Sequence, residues 1–178
     1  MTQKANLTDV LCGSHIPVLI KLIQKIDKPV LELGIGYNST PLLHWMCKEK
    51  LLYLISFESD KKWLDKFKDF NDDSHLVGYH DFENNYLSNL PSLAEFDYYG
   101  LVFVDHKPAR KRRSSVRFFA NKADYIVVHD SELADTPAYK YTPVFDEFKY
   151  KFEFKKVGKP YTMILSNFKK ELSWLNKL

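Results

Sequence analysis

Apolar residues in this chain recur as short unbroken runs separated by stretches with helical spacing. Val30–Leu33, Leu51–Phe57, Leu76–Tyr79, Leu101–Val104 and Tyr125–Val128 are the runs. They alternate little, as expected of strands covered on both faces. Between them the spacing changes. Within residues 7–27 the apolar positions are Leu11, Ile16, Leu19, Ile20, Ile23 and Ile26, helical from Ile16 onward, with Ser14 as a cap and Pro17 tolerated in the first turn. Asp27-Lys28-Pro29 stops that helix and feeds the first strand. Further helices are predicted over Pro41–Lys48, over Lys61–Phe70 with Trp63, Leu64 and Phe67 on one side, and within residues 107–122, anchored by Val116, Phe118 and Phe119. Trp45 and Trp63 fall at core spacings. Pro91 and Gly100 bracket the approach to the fourth strand. Ser131 to Thr142 reads as a loop and Val144–Phe148 as a helical turn. Lys149–Val157 and Tyr161–Ser166 are two last strands joined at Gly158-Lys159-Pro160, too short a connection for a parallel pair. Asn167–Leu178 ends the chain as a short helix docked by Trp174 and Leu175.

Strands alternating with helices predict an α/β fold: a doubly wound, mostly parallel seven-stranded sheet with a C-terminal antiparallel hairpin, forming one domain over residues 1–178. Composition agrees, since 45% hydrophobic and 28% charged residues are ordinary for a globular protein and 178 residues bury a core without staples. Cys12 and Cys47 have no metal-type spacing and are expected to be reduced thiols. No apolar run approaches the roughly 18 residues of a membrane span, and the first residues lack a leader-like apolar stretch, so the expected setting is the cytoplasm. The net charge of +3, from 26 basic and 23 acidic residues, is too small to argue for nucleic acid by itself.

The chemistry collects where the strands end. Val30–Pro41 reads as a strand, a glycine turn at Gly34 and Gly36, and a helix start capped by Ser39 or Thr40, an arrangement suited to a nucleotide-like ligand. Glu58 ends the second strand, where an acid can accept hydrogen bonds from ribose hydroxyls. His80 and Asp81 end the third, Asp105, His106 and Lys107 the fourth, and His129, Asp130 and Ser131 the fifth. Sheet packing alone does not place that many polar residues at one edge.

Glu-Leu-Gly-Ile-Gly at 32–36, the acid at 58, His-Asp at 80–81 and the closing hairpin resemble class I S-adenosylmethionine-dependent methyltransferases over residues 15–166. Asn38 stands where that family has its third glycine, and Asn tolerates unusual backbone angles. The resemblance implies a Rossmann-like methyltransferase fold with S-adenosylmethionine as cofactor. Gly34, Gly36 and Asn38 would lie along its methionine part, with Glu32 orienting that part. Glu58 would hold the ribose, Asp81 the adenine amino group, and Phe82 the ring. Val-Asp-His at 104–106 and His-Asp-Ser at 129–131 are similar to small-molecule and sugar O-methyltransferases, which implies transfer to oxygen of a small or saccharide-like acceptor. Asp105 and Asp130 match two metal-ligating acids of catechol-type members and imply a Mg²⁺ site, although Ser131 replaces the expected Asn. His106 and His129 are candidate bases beside Asp105 and Asp130, because an imidazole titrates near neutrality.

Three alternatives stay open on the residues. Lys107, Arg110, Lys111, Arg112, Arg113 and Arg117 form either a solvated helix face or a rim for an anionic acceptor or a nucleic-acid backbone. The first rival is therefore a nucleic-acid methyltransferase, against which stands the absence of an Asn/Asp-Pro-Pro-aromatic motif. The fold could also serve a non-catalytic binding module, while the irregular glycine pattern weakens a nicotinamide enzyme. Tyr139 and Tyr141 sit on a loop that is either a lid or a surface excursion.

Overall fold

The computed structural model describes residues 13–85, 87, 96–169 and 172–177; Leu11, Cys12 and Pro91 lie outside them. The described chain forms seven strands: β1 (Val30–Leu33), β2 (Leu54–Glu58), β3 (His75–Tyr79), β4 (Tyr99–Val104), β5 (Ala123–His129), β6 (Tyr150–Phe154) and β7 (Thr162–Ser166). Their spatial order is β3-β2-β1-β4-β5-β7-β6. All neighbours are parallel except β7, which runs antiparallel to both β5 and β6. The chain winds outward from β1 to β3, then crosses back to lay β4 on the other side of β1. That reversal opens a crevice between the carboxyl ends of β1 and β4, where open α/β sheets bind ligands.

The helices are α1 (Ile16–Ile23), α2 (Thr40–Glu49), α3 (Lys61–Leu64), α4 (Ala109–Phe119) and α5 (Thr142–Phe145). Val18, Leu19 and Leu22 of α1 pack with Leu43 and Cys47 of α2 on one sheet face, where Val30, Leu101 and Val127 point. Leu31, Leu33, Val102 and Val104 point to the other face, against Val116 and Phe119 of α4. β1 is thus buried on both sides, which explains its unbroken apolar run and makes the one charged residue in it, Glu32, conspicuous. Leu175, on a 3₁₀ turn at Ser173–Lys177, docks on the α1–α2 face, and Trp174 packs beside it, as the sequence suggested.

Several expectations shift. Ser14 does not cap α1; His15 stands at that position without a side-chain bond, and Ser14 Oγ lies 3.4 Å from Thr162 Oγ1. α1 stops at Ile23 rather than Asp27, because Lys50 Nζ donates to the carbonyls of Ile23 (2.8 Å), Gln24 (3.2 Å) and Ile26 (2.6 Å) and closes the helix end. The predicted strand from Leu51 begins at Leu54, since Leu51 adopts the left-handed region at φ 56° and turns the chain out of α2. The helix over 61–70 tightens to 3₁₀ winding at Asp65–Phe70, where threefold spacing stacks Phe67 on Phe70. β6 ends at Phe154, short of the predicted Val157, ahead of a turn at Gly158 with φ +86°. Trp45 is not core but exposed, with Lys48 over its ring. Among the described residues no helix is long and apolar enough to cross a membrane.

Candidate active site

The glycine turn is built by packing before any ligand is considered. Gly34 has φ +99°, and a Cβ there would sit 2.5 Å from the carbonyl carbon of Asp105 and from the amide nitrogen of His106. Only glycine allows β1 to exit the sheet against the β4 terminus. Gly36 is freer: its nearest neighbour would be Ser39 Oγ at 3.3 Å. Asn38 lies further round the turn, partly buried. Neither Ser39 nor Thr40 caps α2 with its side chain. Thr40 Oγ1 instead accepts from the Gly36 amide at 3.0 Å and donates to Glu32, with both carboxylate oxygens within 3.0 Å. Ser56 Oγ donates to Glu32 Oε2 at 2.6 Å. Burial pushes the Glu32 carboxyl up to about 7, against the pull of the Ser39, Ser56 and Thr40 hydroxyls.

Glu58 is tied to the same turn. Its Oε1 accepts from the amides of Ser59 (2.7 Å) and Asp60 (2.8 Å), and Oε2 from the Ile35 amide (3.1 Å). A carboxylate offers about four acceptor positions, so Oε2 keeps one without a partner among the described residues. Trp63 Nε1 donates to the Ile35 carbonyl at 2.8 Å and braces the turn from α3.

At the β3 end, Asp81 accepts from the amides of Glu83 (3.0 Å) and Asn84 (3.1 Å) and from Asn84 Nδ2 (2.9 Å). These donors, the Asn84 side chain first, hold its carboxyl below the usual range. Its local work is to cap a turn. Phe82 is buried, its ring stacked 4.0 Å from that of His106 and nearly parallel to it at 15°. It borders a hollow of about 260 Å³ with Leu87, Lys111 and Phe118.

The ends of β4 and β5 carry a charged cluster. Asp105 Oδ1 is 2.9 Å from Arg112 Nη2, and Asp130 Oδ2 is 2.8 Å from Arg112 Nη1. His129 Nδ1 lies 3.3 Å from Asp105 Oδ2 and 3.5 Å from Asp130 Oδ1. Burial would raise the Asp105 carboxyl, but His129 and Arg112 outweigh it and hold it low. Burial would lower the His129 imidazole, but the hydrogen bond to Asp105 outweighs that and raises it. Asp130 sits in the left-handed region at φ 61°, ψ 37°, a conformation that Asp tolerates better than most residues. Tyr139 Oη donates to Asp130 Oδ2 at 3.1 Å, and its ring faces Arg112. The 131–142 loop is therefore anchored over the cluster, with Tyr141 fully buried and stacked on Phe145.

No protein-family model and no curated protein matches this chain by sequence. Solved structures do match by shape. The O-methyltransferase from Bacillus cereus in complex with SAH shares 14% identity over 93% of this chain and 84% of its own, at a TM-score of 0.60. The N-terminal domain of human METTL16 shares 10% over 95% and 73%, at 0.63. Cofactor-bound Rv0187 from MTB shares 18% over 94% and 82%, at 0.60. This is the class I methyltransferase fold.

Seen on the methyltransferase fold, most of the predicted site residues fall into two groups. Glu32, Gly34, Gly36, Asn38 and Glu58 converge at the β1 turn, and Asp105, His129 and Asp130 form one cluster beside it. His106 does not join them. It is buried, hydrogen-bonded to Ser115 Oγ at 2.7 Å, and pushed down to about 3, mainly by burial. Sequence reading missed Arg112, grouped there with its basic neighbours. The signal was available, because Arg112, Ser115, Val116 and Phe119 follow helical spacing and are the buried residues of α4. It also missed His15, buried with its ring edge-on to His129 at 4.8 Å between centroids.

Asp105, His129 and Asp130 offer ligand atoms within 4.8 Å of one another, a grouping that could hold a metal ion. The remaining donor set does not fit the expected Mg²⁺ site. The Arg112 guanidinium already bridges both acids, and Ser131 Oγ is turned to Glu153 Oε1 at 2.8 Å. The basic segment is also less free than its sequence suggests. Arg110 pairs with Glu83, Arg117 with Glu147, and Arg112 is internal. Lys107, Lys111 and Arg113 have no acidic partner among the described residues.

Proposed function

We propose that this chain transfers a methyl group from S-adenosylmethionine to an oxygen of a small or saccharide-like acceptor. The observation that carries the reading is the open acceptor position on Glu58 Oε2, held beside the glycine turn at the crevice of a methyltransferase fold. A ribose hydroxyl fits that position. Gly34 to Asn38 would line the methionine part, with the Glu32 charge behind them, and Phe82 would border the adenine. When bound, S-adenosylmethionine supplies an electrophilic methyl group; the protein supplies alignment and proton removal.

Asp105 would perform the second task. Its carboxylate is partly exposed, is oriented by Arg112, and contacts His129 Nδ1. Asp105 would accept the hydroxyl proton, with Arg112 and the His129 Nδ1–H holding its carboxylate in place. Lys107, Lys111 and Arg113 favour an anionic acceptor. The ion pairs of Arg110 and Arg117 reduce the positive field that a nucleic-acid backbone would need.

Calorimetry with S-adenosylmethionine and S-adenosylhomocysteine tests the reading. Wild-type protein is expected to bind both, and Glu58→Ala to lose most of the affinity. No binding to wild type at millimolar ligand overturns it. Labelled-methyl transfer to an acceptor panel then separates an enzyme from a binding module, and Asp105→Asn is expected to slow transfer by roughly 10²–10⁴-fold.

A further inference from the structure

A continuous line of side chains runs from the protein surface to the buried acid of β1. His44 of α2 and His75 of β3 face each other with Nδ1 to Nδ1 at 3.0 Å. His75 Nε2 is 2.8 Å from Ser56 Oγ, and Ser56 Oγ is 2.6 Å from Glu32 Oε2. At the outer end, His44 Nε2 lies 4.0 Å from Asp72 Oδ2, on the partly exposed rim where Lys48 also binds Asp72. At the inner end, Glu32 is coupled through Thr40 to the Gly36 amide of the glycine turn.

Hydrogen-bond counting gives two end-to-end proton arrangements along this line. Neutral imidazole has one donor and one acceptor nitrogen, so a single proton lies between the two Nδ1 atoms. With Glu32 ionised, every donor points inward: His44 Nδ1–H to His75 Nδ1, His75 Nε2–H to Ser56, and Ser56 Oγ–H to Glu32. With Glu32 protonated on Oε2, every donor reverses, and the last proton sits on His44 Nε2, facing Asp72. One proton leaving Glu32 therefore matches one proton leaving the far end of the chain, with both rings neutral throughout. Only the shared protons shift, each by one hydrogen bond.

We propose that His44, His75 and Ser56 are a proton relay that links solvent beside Asp72 to Glu32 and so sets the charge beneath the cofactor turn. Burial keeps His44 and His75 below the ordinary imidazole range, so neither ring traps the proton. The charged and titratable groups around the line support the same state. Asp105 of β4 works against a charge on Glu32, the Cys47 thiol of α2 is pushed up to about 12 by burial and stays neutral, and Asp72 and Lys48 balance each other at the entrance. The consequence for a cationic ligand rests on the methyl-transfer reading; the relay does not.

Two measurements on the full chain keep those parts separate. Nitrogen-15 NMR of the imidazoles, without ligand, reads each ring's tautomer from pH 5.5 to 8.5. The relay requires His44 and His75 to exchange tautomer together near pH 7 in wild type and to stay fixed in Glu32→Gln. If Glu32→Gln fails to fold, Ser56→Ala carries the test by disconnecting the ring pair from Glu32. Rings that hold one tautomer throughout, or that switch together in either variant, overturn the relay. Calorimetry with S-adenosylmethionine then tests the link to the turn. Relative to Glu32→Gln, which shares the ligand's own titration, wild type should lose roughly tenfold in affinity from pH 8 to pH 6, as the ionised fraction falls. A pH response equal to that of Glu32→Gln overturns the link. No binding at either pH overturns the methyl-transfer reading while the tautomer result stands.

Discussion

Gly34 and Arg112 show how single residues set the geometry of this crevice. At position 34 a methyl group meets backbone, not a side chain that could rotate away, and the φ of +99° adds strain. Gly34→Ala is expected to destabilise the protein by about 2 kcal/mol or more, read as a lower urea midpoint at unchanged slope. Gly36→Ala meets only a hydroxyl and should cost less. Arg112 neutralises two acids from the buried face of α4, and its Nε also donates to the His106 carbonyl at 2.6 Å. Replacing it by Met keeps the volume and leaves both carboxylates facing each other. The expected loss is about 3 kcal/mol, and Arg112→Lys should recover only part of it because an ammonium cannot bridge both acids in one plane. Thermal or urea unfolding of the three proteins ranks them.

Elements were legible from the sequence wherever packing alone decided them. The apolar runs named the first five strands, because a doubly covered sheet admits few polar residues, and the short Gly158 connection named the last two as an antiparallel pair. Boundaries were less legible where a distant residue sets them. α1 ends where Lys50, 24 to 27 residues away, reaches its carbonyls, and no local signal marks that. Lys50→Ala should cost about 1 kcal/mol and raise amide exchange in the last turn of α1. In the site, the placement of the glycine turn and of Glu58 could be read because it follows from position along a strand. His106 and Arg112 could not, because adjacent residues at a strand end or on a helix point in different directions, and only the packed structure says which is inside. Arg112 carried a readable helical period, but its charge argued for the surface.

Over the whole molecule the buried histidines govern the response to acid. His15, His75 and His106 are each pushed down to about 3, principally by burial. A folded value below the unfolded one means that their contribution is present above about pH 6.5 and is lost as pH falls toward the folded value. Between pH 6.5 and 5 each removes about 2 kcal/mol. Glu32 has the opposite sign: raised to about 7, it favours the folded state below its unfolded value near 4.5 and loses that contribution as pH rises through 7. His44 and His80 are lowered as well, and the lowered histidines outnumber Glu32 and the raised His129, so stability should rise from pH 5 to a maximum near neutrality, then flatten. Urea titrations at pH 5, 6, 7 and 8 check this, and a maximum at pH 5 would contradict it.

The contact between Gly34 and the Asp105–His106 backbone also bears on how this chain can change. No side chain separates the turn that would hold the cofactor from the strand end that would face the acceptor. The two are walls of one slot whose width is set by main chain. Evolution cannot widen it by trimming a residue, and a bulkier residue at 34 closes it. On the proposed reading, acceptor preference would drift through side chains at the strand ends, such as Tyr139 over Asp130, while the main-chain contact stays constant.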